Sequence, residues 1–243
     1  MEEKKLYEAL PYQYGRYLTI ASSREGDLPS NLQGVWQNRT TGIEWGSDYH
    51  MNVNLQMNYW PTYSSNLSEC AIPLIEYVDS LRMPGRVTAE SYFGIESKPG
   101  EANGFSAHTQ NTPFGWTCPG WSFDWGWSPA AVPWILQNCW EYYEYTGDVE
   151  YMRKNLYPML REEAILYDQI LVDSGVKITL EDGTESTRLV SAPAYSPEWG
   201  ERTLGNVYEN SLIWQLYEDA AIAADILNVD EENLHSKEQG SMS

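Results

Sequence analysis

Apolar residues recur at helical spacing along most of this chain. The clearest run is Val132, Ile135, Leu136, Cys139, Trp140 and Tyr143, at i, i+3, i+4, i+7, i+8 and i+11. That period puts all six on one face of a helix. Gly147 and Asp148 follow, a pair that stops one helix and caps the next. Pro158 fits the first turn of a further helix running to about Val172. A last strong helix spans 207–227, with Ile213, Leu216, Ala220, Ala224 and Leu227 on one face. Nearer the start, residues 6–22 read as a helix interrupted at Pro11 and Gly15. Helices are also predicted over 52–63, with Pro61 bending or ending it, over 69–82, and over 86–92.

The period changes to two only at 176–190. Val176 to Leu180 and Thr187 to Val190 flank a Glu-Asp-Gly-Thr turn, the signature of a β-hairpin. Residues 23–50, 94–128 and 191–206 carry no period. The second of these holds nine Gly or Pro and four Trp in 35 residues. A loop of that length in a compact domain usually has a function. The expected class is all-α, with helix pairs joined by long Trp-rich loops and one small hairpin. The expected organisation is one domain over 1–228 and a polar tail over 229–243. Helix pairs with long loops gathered on one side point to a toroid or bundle whose loops form a site.

Composition narrows the function. Against 15 Lys and Arg stand 35 Asp and Glu, a formal charge of −20. Nucleic acid and anionic membrane surfaces are poor partners for such a chain, because phosphate binding needs clustered cations. No apolar run approaches the ~18 residues of a membrane span. Cys70, Cys118 and Cys139 lack the spacing of a zinc site or a disulfide framework. Behind Met1 there is no apolar signal region, and the chain as written is expected to stay in the cytoplasm. The aromatic set is unusual: 11 Trp and 18 Tyr against 4 Phe. Trp and Tyr pair a flat apolar body with a polar handle, which suits sugar rings as well as ordinary cores.

Three segments carry candidate chemistry. In residues 48–61, His50, Asn52 and Asn54 alternate, so an extended backbone points them to one side, with Gln56 and Asn58 continuing the row. Amides beside a His can grip sugar hydroxyls or orient a water; they can equally cap a helix and satisfy loop backbone. Glu198 lies between Pro197 and Trp199. A carboxyl against an indole loses solvation, which raises its pKa and suits a general acid; a surface Glu in a turn is the plainer reading. Residues 115–127 crowd indoles together, as a sugar platform or as loop packed on loop. His108 reads as structural.

Taken together, several segments resemble glycoside hydrolase family 95, the inverting α-L-fucosidases. They are Tyr12 to Leu18, Leu28 to Trp36, Asp48 to Pro61, Asn66 to Cys70, Gly126-Trp127 with Trp134 and Trp140, Tyr145 to Asp148, and Ser196-Pro197-Glu198. The resemblance runs from about residue 10 to 228. It implies an (α/α)6 toroid, of which this chain carries the N-terminal part. It implies Glu198 as general acid, Asn52 and Asn54 as the pair that holds the attacking water, and His50 as a sugar contact. Trp127 and Trp134 would belong to the pocket wall. The implied substrate is a fucosylated glycan, mainly Fuc-α1,2-Gal, hydrolysed without cofactor or metal; the family is often exported or displayed at the bacterial surface. The Asp that polarises the two Asn in that family has no counterpart here, and the half-ring is expected to leave apolar faces exposed. A sugar-binding remnant without turnover, and an enzyme for α-L-galactosides, remain as alternatives.

Overall fold

The computed structural model describes residues 2–120, 122–180 and 183–229, with side chains from Tyr7 onward. The tail expected from 229 therefore lies almost wholly outside the described residues, as do Trp121 and the first half of the hairpin turn.

The long helices are α1 (Glu2–Ser22), α2 (Asn54–Ser64), α3 (Ile72–Ser80), α4 (Arg82–Phe93), α6 (Ala131–Thr146), α8 (Tyr157–Ile170) and α9 (Val207–Leu227); α5 (Phe123–Gly126) and α7 (Val149–Tyr151) are single turns. Strands β1 (Val172–Thr179) and β2 (Glu185–Val190) form one antiparallel pair. Among the described residues the chain is thus helix-rich with a single small sheet, as its periodicity predicts.

Helix α6 ends where expected. Gly147 turns left-handed at φ 65° and its N–H returns to the Tyr143 carbonyl. Asp148 then caps α7, its side chain accepting from the Tyr151 N–H at 2.9 Å. Helix α8 begins at Tyr157 with Pro158 in its first turn, as expected, but the helical path ahead of it starts earlier. A π-turn over Met152–Leu156 joins α7 to α8 without a break, and the Tyr157 N–H reaches back five residues to the Met152 carbonyl. Such a wide turn just ahead of a proline absorbs the donor the ring removes. Helix α8 also ends earlier, at Ile170, because β1 takes the chain from Val172 and opens the hairpin four residues before the predicted Val176. Helix α1 runs unbroken through Pro11 and Gly15, against expectation. Its side chains are largely exposed from Tyr7 to Tyr17, so no packing demand bends it.

Helix α6 packs against α2, α3, α8 and α9. The core it anchors contains Leu55, Tyr59, Leu74, Ile75, Val78, Ile135, Leu136, Leu160, Tyr167, Ile213 and Leu216. Ala220, Ala221, Ala223 and Ala224 are all buried and let α9 approach its neighbours closely. Buried Glu162 on α8 accepts from Arg82 Nε at 2.7 Å and Arg86 Nε at 2.6 Å, riveting α4 to α8. All three cysteines are free thiols. Apolar side chains stay exposed on α1 (Tyr7, Leu10, Tyr17), α4 (Met83, Val87) and α9 (Ile222, Ile226). Among the described residues no helix is long and apolar enough to cross a membrane.

The long loops are sewn to one another by backbone. Tyr49 N–H donates to the Asn111 carbonyl at 3.0 Å and Met51 N–H to Thr109 at 2.7 Å; Thr109 N–H in turn reaches Gly126 at 3.1 Å. Gly126 permits this closeness, since a Cβ there would fall on the Pro119 carbonyl.

Candidate active site

His50 leaves the extended segment 48–50 fixed at both ring nitrogens. Its Nδ1 lies 3.0 Å from Asp48 Oδ1, and its Nε2 lies 3.6 Å from Glu198 Oε1. Burial alone would lower the imidazole pKa, but the hydrogen bond and charge of Asp48, followed by those of Glu198, raise it above its ordinary value. Asp48 thus sets the ring orientation and points Nε2 at Glu198.

After His50 the chain does not stay extended. Residues 51–53 turn, and Val53 takes φ 143°, a strained value for a β-branched residue. That turn swings Asn52 toward the same carboxylate: Asn52 Nδ2 donates to Glu198 Oε1 at 2.9 Å. Asn54 opens α2 and, among the described residues, its side chain has no hydrogen-bond partner. Neither Asn caps the helix; the cap position is Val53. The row ends there. Gln56 is buried and donates to the Met51 carbonyl, while Asn58 donates to Ser30 and Asn31 carbonyls. Those two amides hold backbone.

His50 and Glu198 open on a cavity of about 230 Å³, lined also by Trp45, Thr109, Gln110, Ser122 and Trp125. Trp45 and Trp125 are more than half exposed, two flat apolar walls beside polar atoms. Trp45 sits at φ 56° in a short helical turn, Glu44–Ser47, which presents its ring 6.2 Å from that of His50. A second, open depression shares Glu198 and Trp125 and adds Asp124, Tyr195, Glu201 and Arg202. Glu198 therefore stands on the rim between two hollows, its side chain 44% exposed.

The indole expected to desolvate Glu198 does not do so. Trp199 is 85% exposed; the indoles near the carboxyl come from distant segments. Trp127 and Trp134 are not on the cavity. Trp127 is buried, stacked on His108 at 4.6 Å, with its Nε1–H donated to the Pro193 carbonyl at 2.9 Å. An indole so satisfied braces the wall from behind. Trp134 packs edge-on against Tyr208 of α9 at 5.5 Å. His108 is structural, as read: wholly buried, it accepts the Ser128 N–H at Nδ1, and burial lowers its pKa to about 3. Sequence reasoning missed Trp45; Asp48 and Trp125 lay inside the candidate segments 48–61 and 115–127 but were not singled out. The Asp-x-His spacing was a usable signal for Asp48. Among the described residues no three His, Cys, Asp or Glu side chains gather as a metal site would require.

The sequence profile of the glycosyl hydrolase family 95 catalytic domain matches residues 1–242. This chain belongs to that family. It is 34% identical over 213 residues to a probable alpha-fucosidase A of Aspergillus niger, covering 87% of this chain and 26% of that protein. It is 32% identical over 238 residues to alpha-L-fucosidase 2 of Arabidopsis thaliana, covering 97% of this chain and 27% of that protein. The family 95 chain described here spans about a quarter of the length of these relatives.

Proposed function

We propose that this chain forms the acid side of an α-L-fucosidase site, built on part of an (α/α)6 toroid and acting with inversion on Fuc-α1,2-Gal ends of glycans. The observation that carries the reading is the convergence of His50 and Asn52 on Glu198 at the mouth of a Trp-flanked cavity. The names of the family 95 relatives supply the sugar.

Glu198 protonates the glycosidic oxygen, which then leaves as an alcohol. A water enters the anomeric carbon from the opposite face, so the product is β-fucose. Asn52 and Asn54 orient that water; an amide is not a base, so the proton the water loses as its bond to the anomeric carbon forms passes to solvent, from which Glu198 regains its own. Trp45 and Trp125 take the apolar faces of the sugars, and His50 Nε2 offers a donor to a hydroxyl. Acid and water stand on opposite faces of the ring, and in inverting sites the two carboxyls lie roughly 6.5–9.5 Å apart. Asn52 now touches Glu198 at 2.9 Å. Substrate must displace that contact, and the half-exposed Glu198 is the partner that swings outward.

The test is proton NMR of the chain with 2′-fucosyllactose. β-Fucose appearing first is expected; α-fucose first overturns inversion. The direct Asn52–Glu198 contact also favours a second reading, sugar binding without turnover. Saturation transfer to the fucosyl protons with no fucose released would select it. Faster release from the matching α-L-galactoside would instead change the substrate.

A further inference from the structure

Residues 191–206 carry the acid, and their footing is unusually well tied. The Ala194 and Thr203 backbones exchange hydrogen bonds at 2.9 and 2.8 Å, and Gly205 N–H reaches the Ser191 carbonyl at 2.9 Å. Trp127 Nε1–H holds the Pro193 carbonyl. Asn210 Oδ1 accepts the Ser191 N–H at 3.3 Å.

The shortest tie comes from the first turn of α9. Asn206 caps the helix by accepting the Glu209 N–H at 2.7 Å. In the usual capping box, the acid three residues on reaches back to the cap residue's own N–H. Here it is diverted. Glu209 Oε1 accepts instead from the Tyr195 N–H at 2.7 Å, three residues ahead of Glu198. Glu209 is wholly buried, and besides the Tyr195 amide it has the Ser191 side chain, at the start of the same loop, as a hydrogen-bonding neighbour. A buried carboxyl turned onto the 191–206 loop instead of its own helix N-terminus is a poor device for helix stability alone. It lies away from the cavity and is not among its lining residues.

We propose that Glu209 is a positioning residue: through the Tyr195 N–H it fixes the loop that carries Glu198, and so sets where the acid stands relative to His50 and Asn52. The proposal rests on reading Glu198 as the general acid. Misplacing a reacting group by about 1 Å lowers turnover by about a hundredfold.

His50 provides a readout that needs no turnover, because Glu198 is one of the two groups holding its pKa up. Glu209→Ala should shift the His50 NMR titration midpoint downward, with the Asp48 contact untouched. Glu209→Gln, which keeps an acceptor oxygen for the Tyr195 amide, should leave the midpoint near the wild-type value. In an active chain, Glu209→Ala should lower kcat about a hundredfold with KM within about threefold, and Gln should restore most of it. Should the Ala variant not fold, Glu209→Met, of similar volume but without the acceptor, makes the same comparison. An unchanged His50 midpoint in a folded acceptor-less variant overturns the proposal. So does an unchanged kcat, or a Gln variant that folds where neither acceptor-less variant does, since that outcome assigns Glu209 to stability. Wild-type chain that releases no fucose overturns the proposed activity only; the His50 titration still decides this one.

Discussion

Asn52 Nδ2 and Glu198 Oε1 stand 2.9 Å apart although 146 residues separate them in sequence. An amide N–H can remain bonded to that oxygen whether the carboxyl is ionised or protonated. Loss of the carboxyl acid should therefore abolish proton donation without disturbing the fold. Glu198→Gln is expected to lower fucose release by at least about a hundredfold. Its exposed position limits the stability change to about 0.5 kcal/mol. Release measured beside a urea unfolding curve checks both; unchanged release would remove Glu198 from the acid role.

His50 should titrate above the ordinary histidine value of about 6.5. The protonated ring is the form that Asp48 and Glu198 stabilise against the opposing effect of burial. Asp48→Asn should lower the midpoint, because it removes the nearer charge. Two-dimensional NMR of the ring protons separates this signal from His108, which burial keeps neutral down to about pH 3. A His50 midpoint below 6.5 in the wild type would contradict the site geometry.

The two indoles Trp125 and Trp127 should behave oppositely. Trp125 is exposed on the cavity wall, so Trp125→Ala should raise KM about tenfold or more with little change in stability. Trp127 is buried among Phe93, His108 and Phe123. Its replacement by Ala should cost about 3–5 kcal/mol of stability. Equal effects of the two variants on both quantities would restore Trp127 to the pocket wall.

Burial raises the pKa of Glu209 and of Asp219 to about 7 each. The unfolded carboxyls ionise near pH 4. Between about pH 4 and 7 the folded chain therefore binds more protons than the unfolded chain, and stability falls as pH rises through that window. The loss is on the order of 4 kcal/mol per group. Glu209→Gln and Asp219→Asn should each flatten the slope. Urea midpoints at pH 5 and pH 8 measure it, and a midpoint that rises across this interval would refute the assignment.

The sequence carried more of the helices than of the site. Helices α6 and α9 were legible because one packed face repeats over many residues and Gly147 marks a stop. Continuity through Pro11 and through the π-turn before Pro158 was not legible, since proline argues locally for a break while the surrounding turns accommodate it. Glu198, His50 and Asn52 stood out in their motifs, but the bond between them is a tertiary event. The error over the indoles has the same origin. Trp199 is the neighbour of Glu198 along the chain, whereas Trp45 and Trp125 are its neighbours in space. Alternation placed His50, Asn52 and Asn54 on one side of an extended backbone; the turn over 51–53 ends the extended segment after His50 and still brings Asn52 to Glu198.

The diverted capping acid of α9 has a consequence for how the molecule comes apart. The footing of the acid loop is held by the first turn of α9, while His50 and Asn52 belong to the segment entering α2. Local opening of α9 from α6 and α8 would separate the two halves of the site while the contacts of α2, α3 and α6 persist. Such partial openings lie below global unfolding in free energy, so warming should silence the site before the helical signal melts.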